Sequence, residues 1–309
     1  MAKHVAVLKG GWSVERDVSL VSGGAVAKAL REEGYEVSEI DVSPDIAQND
    51  IVQNLVRLKP DVVFNALHGR WGEDGCLQGM LEILRIAYSH SGVASSSMAM
   101  DKILSKKLFR TVGIPCAEDA IVTREVLFSS PPLPRPFVVK PYNEGSSVGV
   151  VIVMDGDKFD SKMAGPWHDT DRLMVEQYIP GRELTVTVMD GKALTVTELK
   201  PCAGFYDYEA KYEKGKTDHV IPAELDSRML ERIKTYAEKA HEILGCRGVT
   251  RADFRLDDGP DGDGTAYILE INTQPGMTPL SLVPEQARHM GMTFGQLVAW
   301  IVEDASCGR

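Results

Sequence analysis

The first part of the chain alternates apolar strands with amphipathic helices, and this alternation restricts the fold more than any other feature. Three stretches have the strand pattern: HVAVLKGG, EVSEIDV and DVVFNALHG. Between the first two, Ser13 is predicted to cap a helix that runs to about Glu33. Strand–helix–strand order predicts a parallel sheet with right-handed crossovers. Ligands of such a sheet bind beyond the carboxyl ends of its strands, so GGWSVERD and HGRWGEDG are candidate ligand loops.

The rest of the chain predicts two further units that are richer in hairpins. The stretch PFVVKPYNEGSSVGVVIVM has two alternating strands around a polar glycine loop, which is typical of a hairpin. A helix is predicted over Met98–Val112. The sequence therefore predicts an α/β protein with an N-terminal parallel-sheet domain over residues 1–96. Units of α+β type are predicted over 97–183 and 184–309.

Composition excludes several classes of protein. The 309 residues carry a net charge of −11, which argues against nucleic acid as a partner because phosphate binding needs a basic surface. No apolar run is long enough to span a bilayer, and the N-terminus lacks the apolar run of a signal peptide. The five cysteines are scattered without a C-x-x-C pair, which favours a reducing compartment. We therefore expect a cytoplasmic protein without nucleic-acid or membrane partners.

Two neighbouring stretches near the C-terminus, TRADFRL and YILEINT, place polar residues into apolar strands. Because side chains alternate across a strand, one face is expected to carry Arg251, Asp253, Glu270 and Asn272. The opposite face is expected to bury Phe254, Leu256, Leu269 and Ile271. Three oxygen donors without His or Cys suit Mg²⁺, which commonly shares its other ligand positions with substrate phosphates. A surface ladder held by an Arg–Asp pair is the alternative.

A second set of residues suits a phosphate group. Lys140 lies on a predicted strand, where it either snorkels to solvent or faces an anion. The loop Glu144–Gly149 follows, and its glycines let backbone N–H groups approach an anion. Ser146 and Ser147 add hydroxyl donors. Together with the acidic wall, this predicts a nucleotide held between two strand layers.

Eight stretches, in order along most of the chain, carry a resemblance to a known family: GGWSVERDVSL, ALHGRWGEDGCLQGMLE, SGVASSSMAMDK, VKPYNEGSSVG, FYDYEAKY, GVTRADFRL, LEINTQPGMTPLSLVPE and GMTFGQLV. The sequence resembles the ATP-grasp enzymes and, more narrowly, the D-alanine–D-alanine ligases. Gln274 stands where serine is common in that family, and the loop YNEG replaces a more basic version. The resemblance implies a two-part ATP-grasp fold after the N-terminal domain. Its nucleotide lies between two β-sheet layers, and its C-terminal part has the metal site and a lid loop over 203–219.

The resemblance also implies an activity, namely ATP-dependent joining of two D-alanines through an acyl phosphate. The products are D-alanyl-D-alanine for peptidoglycan precursor synthesis, ADP and phosphate. The expected partners are D-alanine, ATP and a second copy of the chain in a homodimer. The expected cofactor is two Mg²⁺ ions, with Mn²⁺ as a substitute, held by Asp253, Glu270 and Asn272. A D-lactate or D-serine ligase on the same fold, and a nucleotide-binding module without turnover, stay open as alternatives.

Individual roles follow from the resemblance. The residues expected in catalysis are Glu15, Ser146, Tyr212, Arg251 and Gly276. The residues expected to bind ATP are Lys102, Lys140, Ser146, Ser147, Glu176, Gln177, Ile179, Glu183 and Lys211. The residues expected to bind the amino acids are His68, Lys211, Ser281 and Leu282. Glu15 is expected to bind the ammonium of the first D-alanine. Arg251 and the N–H of Gly276 are expected to stabilise the oxyanion. Ser281 and the amide of Leu282 are expected to hold the second carboxylate.

Overall fold

The computed structural model describes residues 2–45, 50–145, 149–160, 167, 172–201, 216–259 and 261–309. The strands are β1 His4–Gly10, β2 Glu36–Val42, β3 Val62–Asn65, β4 Ala87–Tyr88, β5 Asp119–Thr123, β6 Phe137–Lys140, β7 Val151–Val153, β8 Arg172–Gln177, β9 Arg182–Met189, β10 Lys192–Pro201, β11 Thr217–Val220, β12 Val249–Leu256 and β13 Ala266–Asn272. The helices are α1 Arg16–Glu32, α2 Ile51–Leu58, α3 Cys76–Leu84, α4 Val93–Met100, α5 Lys102–Thr111, α6 Arg124–Ser129, α7 Ser227–Ile243, α8 Leu282–His289 and α9 Phe294–Asp304.

The N-terminal sheet is parallel, as predicted, in the order β2-β1-β3-β4. Strands β1 and β3 are buried on both faces, because Val5 and Val7 join one apolar core while Ala6 and Leu8 join another. Burial on both faces explains why these strands are almost continuously apolar. The first core also contains residues of α8 and α9, such as Ile301, so the end of the chain packs onto its first sheet.

The other two sheets are predominantly antiparallel, in the orders β5-β8-β6-β7 and β11-β10-β9-β12-β13. The hairpin predicted around Lys140 is confirmed as β6 and β7. Helix α7 packs onto the third sheet through Ile233 and Ala237, and Phe109 of α5 belongs to the same core. The domain limits at residues 97 and 184 stay a prediction. The mixed α/β class is confirmed.

Two local predictions were wrong. The helix expected over Met98–Val112 is two helices, because Asp101 breaks the run and caps α5 by accepting the N–H groups of Ile103 and Leu104. The helix expected to start at Ser13 begins at Arg16, and the Ser13 hydroxyl instead accepts the N–H of Glu15. None of the described helices is long and apolar enough to cross a membrane.

Candidate active site

The polar wall predicted on two neighbouring strands is present. Strands β12 and β13 pair so that Arg251 lies opposite Asn272 and Asp253 lies opposite Glu270. A β-bulge follows, because the next paired residues are Phe254 and Ile268. Regular alternation and direct pairing place the four polar residues on one face, and the bulge reverses the alternation of β13 beyond them.

The bulge corrects one predicted core residue. Leu269 is half-buried and lines a cavity, whereas its neighbour Ile268 is fully buried in the core. Phe254, Leu256 and Ile271 are buried as expected. Strict alternation assigned Leu269 to the core, and it failed because the bulge adds one residue to β13 and shifts the alternation by one position.

Two cations already lie against the two carboxylates of the wall. Arg251 donates to both carboxylate oxygens of Asp253, with Nε–Oδ1 at 2.9 Å and an Nη–Oδ2 distance of 2.8 Å. Lys102 Nζ lies 2.9 Å from Glu270 Oε2 and donates to the Glu144 carbonyl at 2.8 Å. Burial by itself lowers the pKa of Lys102, but the Glu270 carboxylate outweighs it and raises that pKa. The wall therefore attracts positive charge.

The donor chemistry of this wall fits a hard divalent cation. Asp253 and Glu270 supply carboxylate oxygens, and Asn272 supplies an amide oxygen that already accepts the Gln274 N–H at 2.9 Å. Thr185 donates its hydroxyl to Asp253 Oδ1 at 2.7 Å and orients that carboxylate. Within the described residues, no cluster of three or more His, Cys, Asp or Glu side chains has metal-binding spacing. The fit therefore rests on two acids and one amide, a set compatible with Mg²⁺ when substrate oxygens complete the coordination.

A cavity of about 100 Å³ lies between the second and third sheets. Six of the residues predicted to bind ATP line it: Lys102, Lys140, Glu176, Gln177, Ile179 and Glu183. Leu269 also lines it, and sequence patterning missed this because of the bulge. Glu183 lies 3.4 Å from Arg255 across the floor. The structure thus brings the predicted nucleotide residues together between two strand layers.

Glu176 lies between two lysines. Its Oε2 is 2.5 Å from Lys140 Nζ, and its Oε1 is 2.5 Å from Lys106 Nζ. Burial by itself raises the pKa of Glu176, but the two lysines outweigh burial and lower that pKa to about 2. Glu176 is therefore a carboxylate at any physiological pH. Sequence analysis assigned no role to Lys106, since a lysine inside a helix is usually at the surface.

A larger cavity of about 500 Å³ lies beyond the ends of the N-terminal strands. Glu15 and His68, both predicted to contact the amino acid substrate, line it and are buried. His68 Nδ1 is 3.1 Å from the Gln274 carbonyl, so Nδ1 carries the proton and donates it. Burial lowers the pKa of His68, which keeps the ring neutral. Within the described part of the chain, Nε2 is buried without a partner, and it is an acceptor.

Glu73 lines the same cavity, and the sequence did not single it out. A Cβ built on Gly145 would lie 3.5 Å from a carboxylate oxygen of Glu73 and also 3.5 Å from one of Glu15, so both acids face one place. Burial, followed by the charge of Glu15, raises the pKa of Glu73 to about 8. The Oε2 atom of Glu73 has no partner among the described residues. The only available signal was an acid inside the glycine-rich loop HGRWGEDG.

The loop after β13 completes this cavity. Gly276, which was predicted to stabilise the oxyanion, lines it together with Ser281 and Leu282, which were predicted to hold the second carboxylate. Ser281 is the N-cap of α8, and its side chain makes no capping bond but accepts the Thr278 N–H at 3.0 Å. The N-terminus of α8 therefore brings to the cavity backbone N–H groups that have no partner within the helix, together with a partial positive charge.

Four predicted residues lie outside the described residues: Ser146, Ser147, Lys211 and Tyr212. The same holds for 203–215 of the predicted lid, whereas its end enters β11.

Comparison with known proteins gives the family. Residues 108–303 match the family model described as D-ala D-ala ligase C-terminus, and residues 46–91 match the model described as D-ala D-ala ligase N-terminus. The D-alanine–D-alanine ligase of Parvibaculum lavamentivorans is 53% identical over 310 residues, covering 100% of this chain and 99% of that protein. The one from Sinorhizobium medicae is 52% identical over 311 residues, with the same coverage.

Solved structures agree with the sequence matches. The structure of the Bacillus anthracis D-alanine–D-alanine ligase complexed with ATP superposes with a TM-score of 0.83 at 31% identity, covering 98% of this chain and 97% of that one. A second structure of that enzyme gives the same TM-score at 34% identity. The expected ATP-grasp fold is thereby confirmed. The chain belongs to the D-alanine–D-alanine ligase family.

Proposed function

We propose that this chain joins two D-alanines into D-alanyl-D-alanine with ATP, releasing ADP and phosphate. One observation supports this assignment most strongly: Lys102 and Glu270 line both cavities. The smaller cavity suits a nucleotide and the larger one suits amino acids. Their junction at a lysine and an acidic wall is the place where a terminal phosphate and a substrate carboxylate meet.

The chemistry requires two successive steps at that junction. A carboxylate is a poor electrophile, so an amine does not attack it directly. In the first step a carboxylate oxygen of the first D-alanine attacks the terminal phosphorus, and ADP leaves with the electron pair. In the second step the neutral amine of the second D-alanine attacks the acyl-phosphate carbon and the C–N bond forms. The C–O bond to phosphate then breaks, phosphate leaves with the electron pair, and the nitrogen loses a proton to give the amide. The protein contributes positioning and charge neutralisation to both steps.

The residues of the larger cavity divide between the two amino acids. Glu15 holds the ammonium of the first D-alanine, in a set with Ser146 and Tyr212. Ser281 and the Leu282 amide hold the carboxylate of the second, because a helix N-terminus attracts an anion. His68 accepts a hydrogen bond from substrate through Nε2, and Lys211 contacts substrate and phosphate.

Arg251 and the Gly276 N–H stabilise the oxyanion that forms in the second step. Arg251 is held against Asp253, so its orientation is fixed before substrate enters. A preorganised donor of this kind lowers the activation free energy by about 3 kcal/mol. Loss of Arg251 therefore acts on the rate rather than on nucleotide binding.

Asp253, Glu270 and Asn272 are the residues that would hold Mg²⁺, in two ions, with Mn²⁺ as a substitute. When bound, the ions neutralise phosphate charge and align the transferred group. The chain's own cations, Lys102 and Lys140, also bind the phosphates. Ser147, Gln177, Ile179 and Glu183 bind the remainder of the nucleotide.

Exclusion of water matters because an acyl phosphate hydrolyses, and we assign that role to the lid over 203–219. The three-domain division, the homodimer and the cytoplasmic location belong to the same proposal. Limited proteolysis, light scattering and cell fractionation, respectively, check them.

Phosphate release tests the assignment. With ATP, Mg²⁺ and D-alanine the protein should release phosphate, and omission of D-alanine should abolish release. L-alanine is the matched control, because it has the same atoms with the opposite handedness. Equal release with L-alanine would refute the proposal. A dominant ester product when D-alanine and D-lactate compete would replace the dipeptide assignment by a depsipeptide one.

A further inference from the structure

A network of charged side chains lies next to the nucleotide cavity and connects β5, α5, β8 and β6. Lys106 Nζ lies 2.5 Å from Glu176 Oε1, 3.0 Å from Asp119 Oδ1 and 3.0 Å from the Ala117 carbonyl. Lys106 therefore donates hydrogen bonds to Glu176 and the Ala117 carbonyl and forms an ion pair with Asp119. Lys106 has no exposed surface, and it is absent from the described residues that line either cavity.

The sheet itself creates a need for this lysine. Asp119 and Glu176 are directly opposed across β5 and β8, and like charges in that relation repel. Lys106 lies between them and contacts both. Arg110 also pairs with Asp119 from the outer side. A wholly structural reading is therefore available, in which Lys106 only relieves the Asp119–Glu176 repulsion.

The contact between Glu176 and Lys140 suggests a second role for Lys106, in nucleotide binding. Glu176 also contacts Lys140, whose ammonium lies at the nucleotide cavity. Without Lys106, the negative charge of Glu176 would be balanced by Lys140 alone, and that pair would have no net charge. With Lys106 present, three cations, Lys106, Lys140 and Arg110, face two carboxylates, Glu176 and Asp119. The set then has one net positive charge, and Lys140 is its member that lines the cavity.

We infer that Lys106 is a positioning residue for nucleotide binding: it neutralises Glu176 from behind, so that Glu176 fixes the position of Lys140 without cancelling its charge toward the phosphates. The inference rests on the proposed function, because it assumes that an anionic nucleotide enters this cavity. Burial by itself favours a neutral Glu176, but the two lysines hold its pKa at about 2, so the carboxylate stays charged. Glu176 therefore remains charged between Lys106 and Lys140.

A set of variants separates the two readings. Lys106→Met should weaken ATP binding by about tenfold, because Lys140 alone then balances Glu176 and less of the Lys140 charge acts on the phosphates. Lys106→Met/Glu176→Gln should bind ATP within about twofold of Glu176→Gln alone, because no uncompensated carboxylate then opposes Lys140. Lys106→Met/Asp119→Asn is the matched control. It removes the like-charge repulsion equally well but leaves Glu176 charged, so ATP binding should stay weak.

The measurement is the dissociation constant of ATP by titration calorimetry on the full chain, together with melting temperature and the KM for D-alanine. Both double variants should recover melting temperature, only the Glu176 double should recover ATP affinity, and the KM for D-alanine should not change. Recovery of ATP affinity in Lys106→Met/Asp119→Asn, or unchanged ATP affinity in Lys106→Met, overturns the inference. If Lys106→Met does not fold, the two double variants alone give the decisive difference.

The two proposals fail separately in this design. If wild-type protein binds ATP but releases no phosphate with D-alanine, the proposed function is refuted. The ATP affinities of the variants still test the role of Lys106 in that case. Wild-type protein that turns over D-alanine, with both double variants binding ATP equally, refutes the role of Lys106 alone.

Discussion

The two cavities differ in how their buried polar groups are satisfied. In the smaller one, Lys140 and Glu176 are paired with each other, and Lys106 supports the pair from behind. In the larger one, His68 Nε2 and Glu73 Oε2 are buried without partners in the described part of the chain. Buried polar atoms in native proteins are almost always hydrogen-bonded. The contrast indicates a nucleotide site built by the protein's own charges and an amino acid site that only its ligand completes.

This difference has a consequence for mutation. Removal of a group from the paired site leaves a buried charge uncompensated, so the effect should fall on nucleotide affinity and on folding. Removal of His68, whose Nε2 has no partner among the described residues, loses a contact that forms only with substrate. Its effect should fall on kcat or on the KM for D-alanine.

Arg251→Ala gives the largest expected effect and tests whether the shared wall serves the amino acid side. We expect kcat to fall by about 10²–10³, the usual result of removing an oxyanion donor, with the dissociation constant of ATP changed less than about threefold. Steady-state kinetics and ATP titration measure the two quantities. Arg57→Ala, at an exposed position of α2, is the matched control and should change neither. Weaker ATP binding with kcat preserved would assign Arg251 to the nucleotide instead.

The wall also shows how far sequence reasoning reaches. Strand alternation placed Arg251, Asp253, Glu270 and Asn272 on one face, because the polar pattern has the strand period and the two strands are close in sequence. It misplaced Leu269, because a bulge depends on pairing with the neighbouring strand and leaves no mark in the strand's own pattern.

The roles of buried charged or titratable side chains were harder to predict. The sequence showed Glu73 as one acid in a glycine-rich loop, and nothing in the loop states that it is buried beside Glu15. Lys106 has the same difficulty, since its partners Asp119 and Glu176 are distant in sequence and meet only when β5 pairs with β8. Local pattern predicts which element a residue belongs to, but burial of a charge depends on contacts between elements.

Glu15→Gln and Glu73→Gln test whether two neighbouring acids of the larger cavity contribute differently to D-alanine binding. Loss of the Glu15 charge should raise the KM for D-alanine by about tenfold at neutral pH, as expected when a hydrogen bond to a charged group is weakened. Glu73→Gln should change that KM by less than about threefold, because burial and Glu15 raise the pKa of Glu73 to about 8 and keep it protonated. Kinetics at neutral pH decide the matter, and equal losses in the two variants would contradict the difference.

Glu73 should also make the stability of the fold depend on pH. Its pKa rises from 4.5 to about 8 on folding, so the folded chain retains a proton that the unfolded chain has released. The stabilisation is complete below pH 4.5 and is lost as pH rises through about 8. The melting temperature of Glu73→Gln should therefore rise relative to that of wild type as the pH increases from 4.5 to about 8. Glu125→Gln, at an exposed position of α6, is the matched control. A constant difference between Glu73→Gln and wild type would show that Glu73 is ionised in the fold.

Gly276→Ala should have the smallest effect and acts on the loop that holds the acceptor. A Cβ at this position would lie 3.0 Å from Ser281 Oγ, so the hydroxyl must move by a few tenths of an ångström. We expect the KM for the second D-alanine to rise by about threefold while ATP affinity is unchanged, because only one hydrogen bond to the carboxylate is weakened. Two-site kinetics resolve the two D-alanine KM values.

Gly79→Ala is the matched control for that change. Gly79 lies inside α3, and a Cβ there meets nothing within 4 Å. Alanine should stabilise the helix by about 0.5–1 kcal/mol, since glycine is the poorer helix former, and leave both KM values unchanged. If Gly276→Ala instead weakened ATP binding, the loop after β13 would belong to the nucleotide site. The two cavities would then act as one unit rather than as a site built by the protein beside a site completed by its substrate.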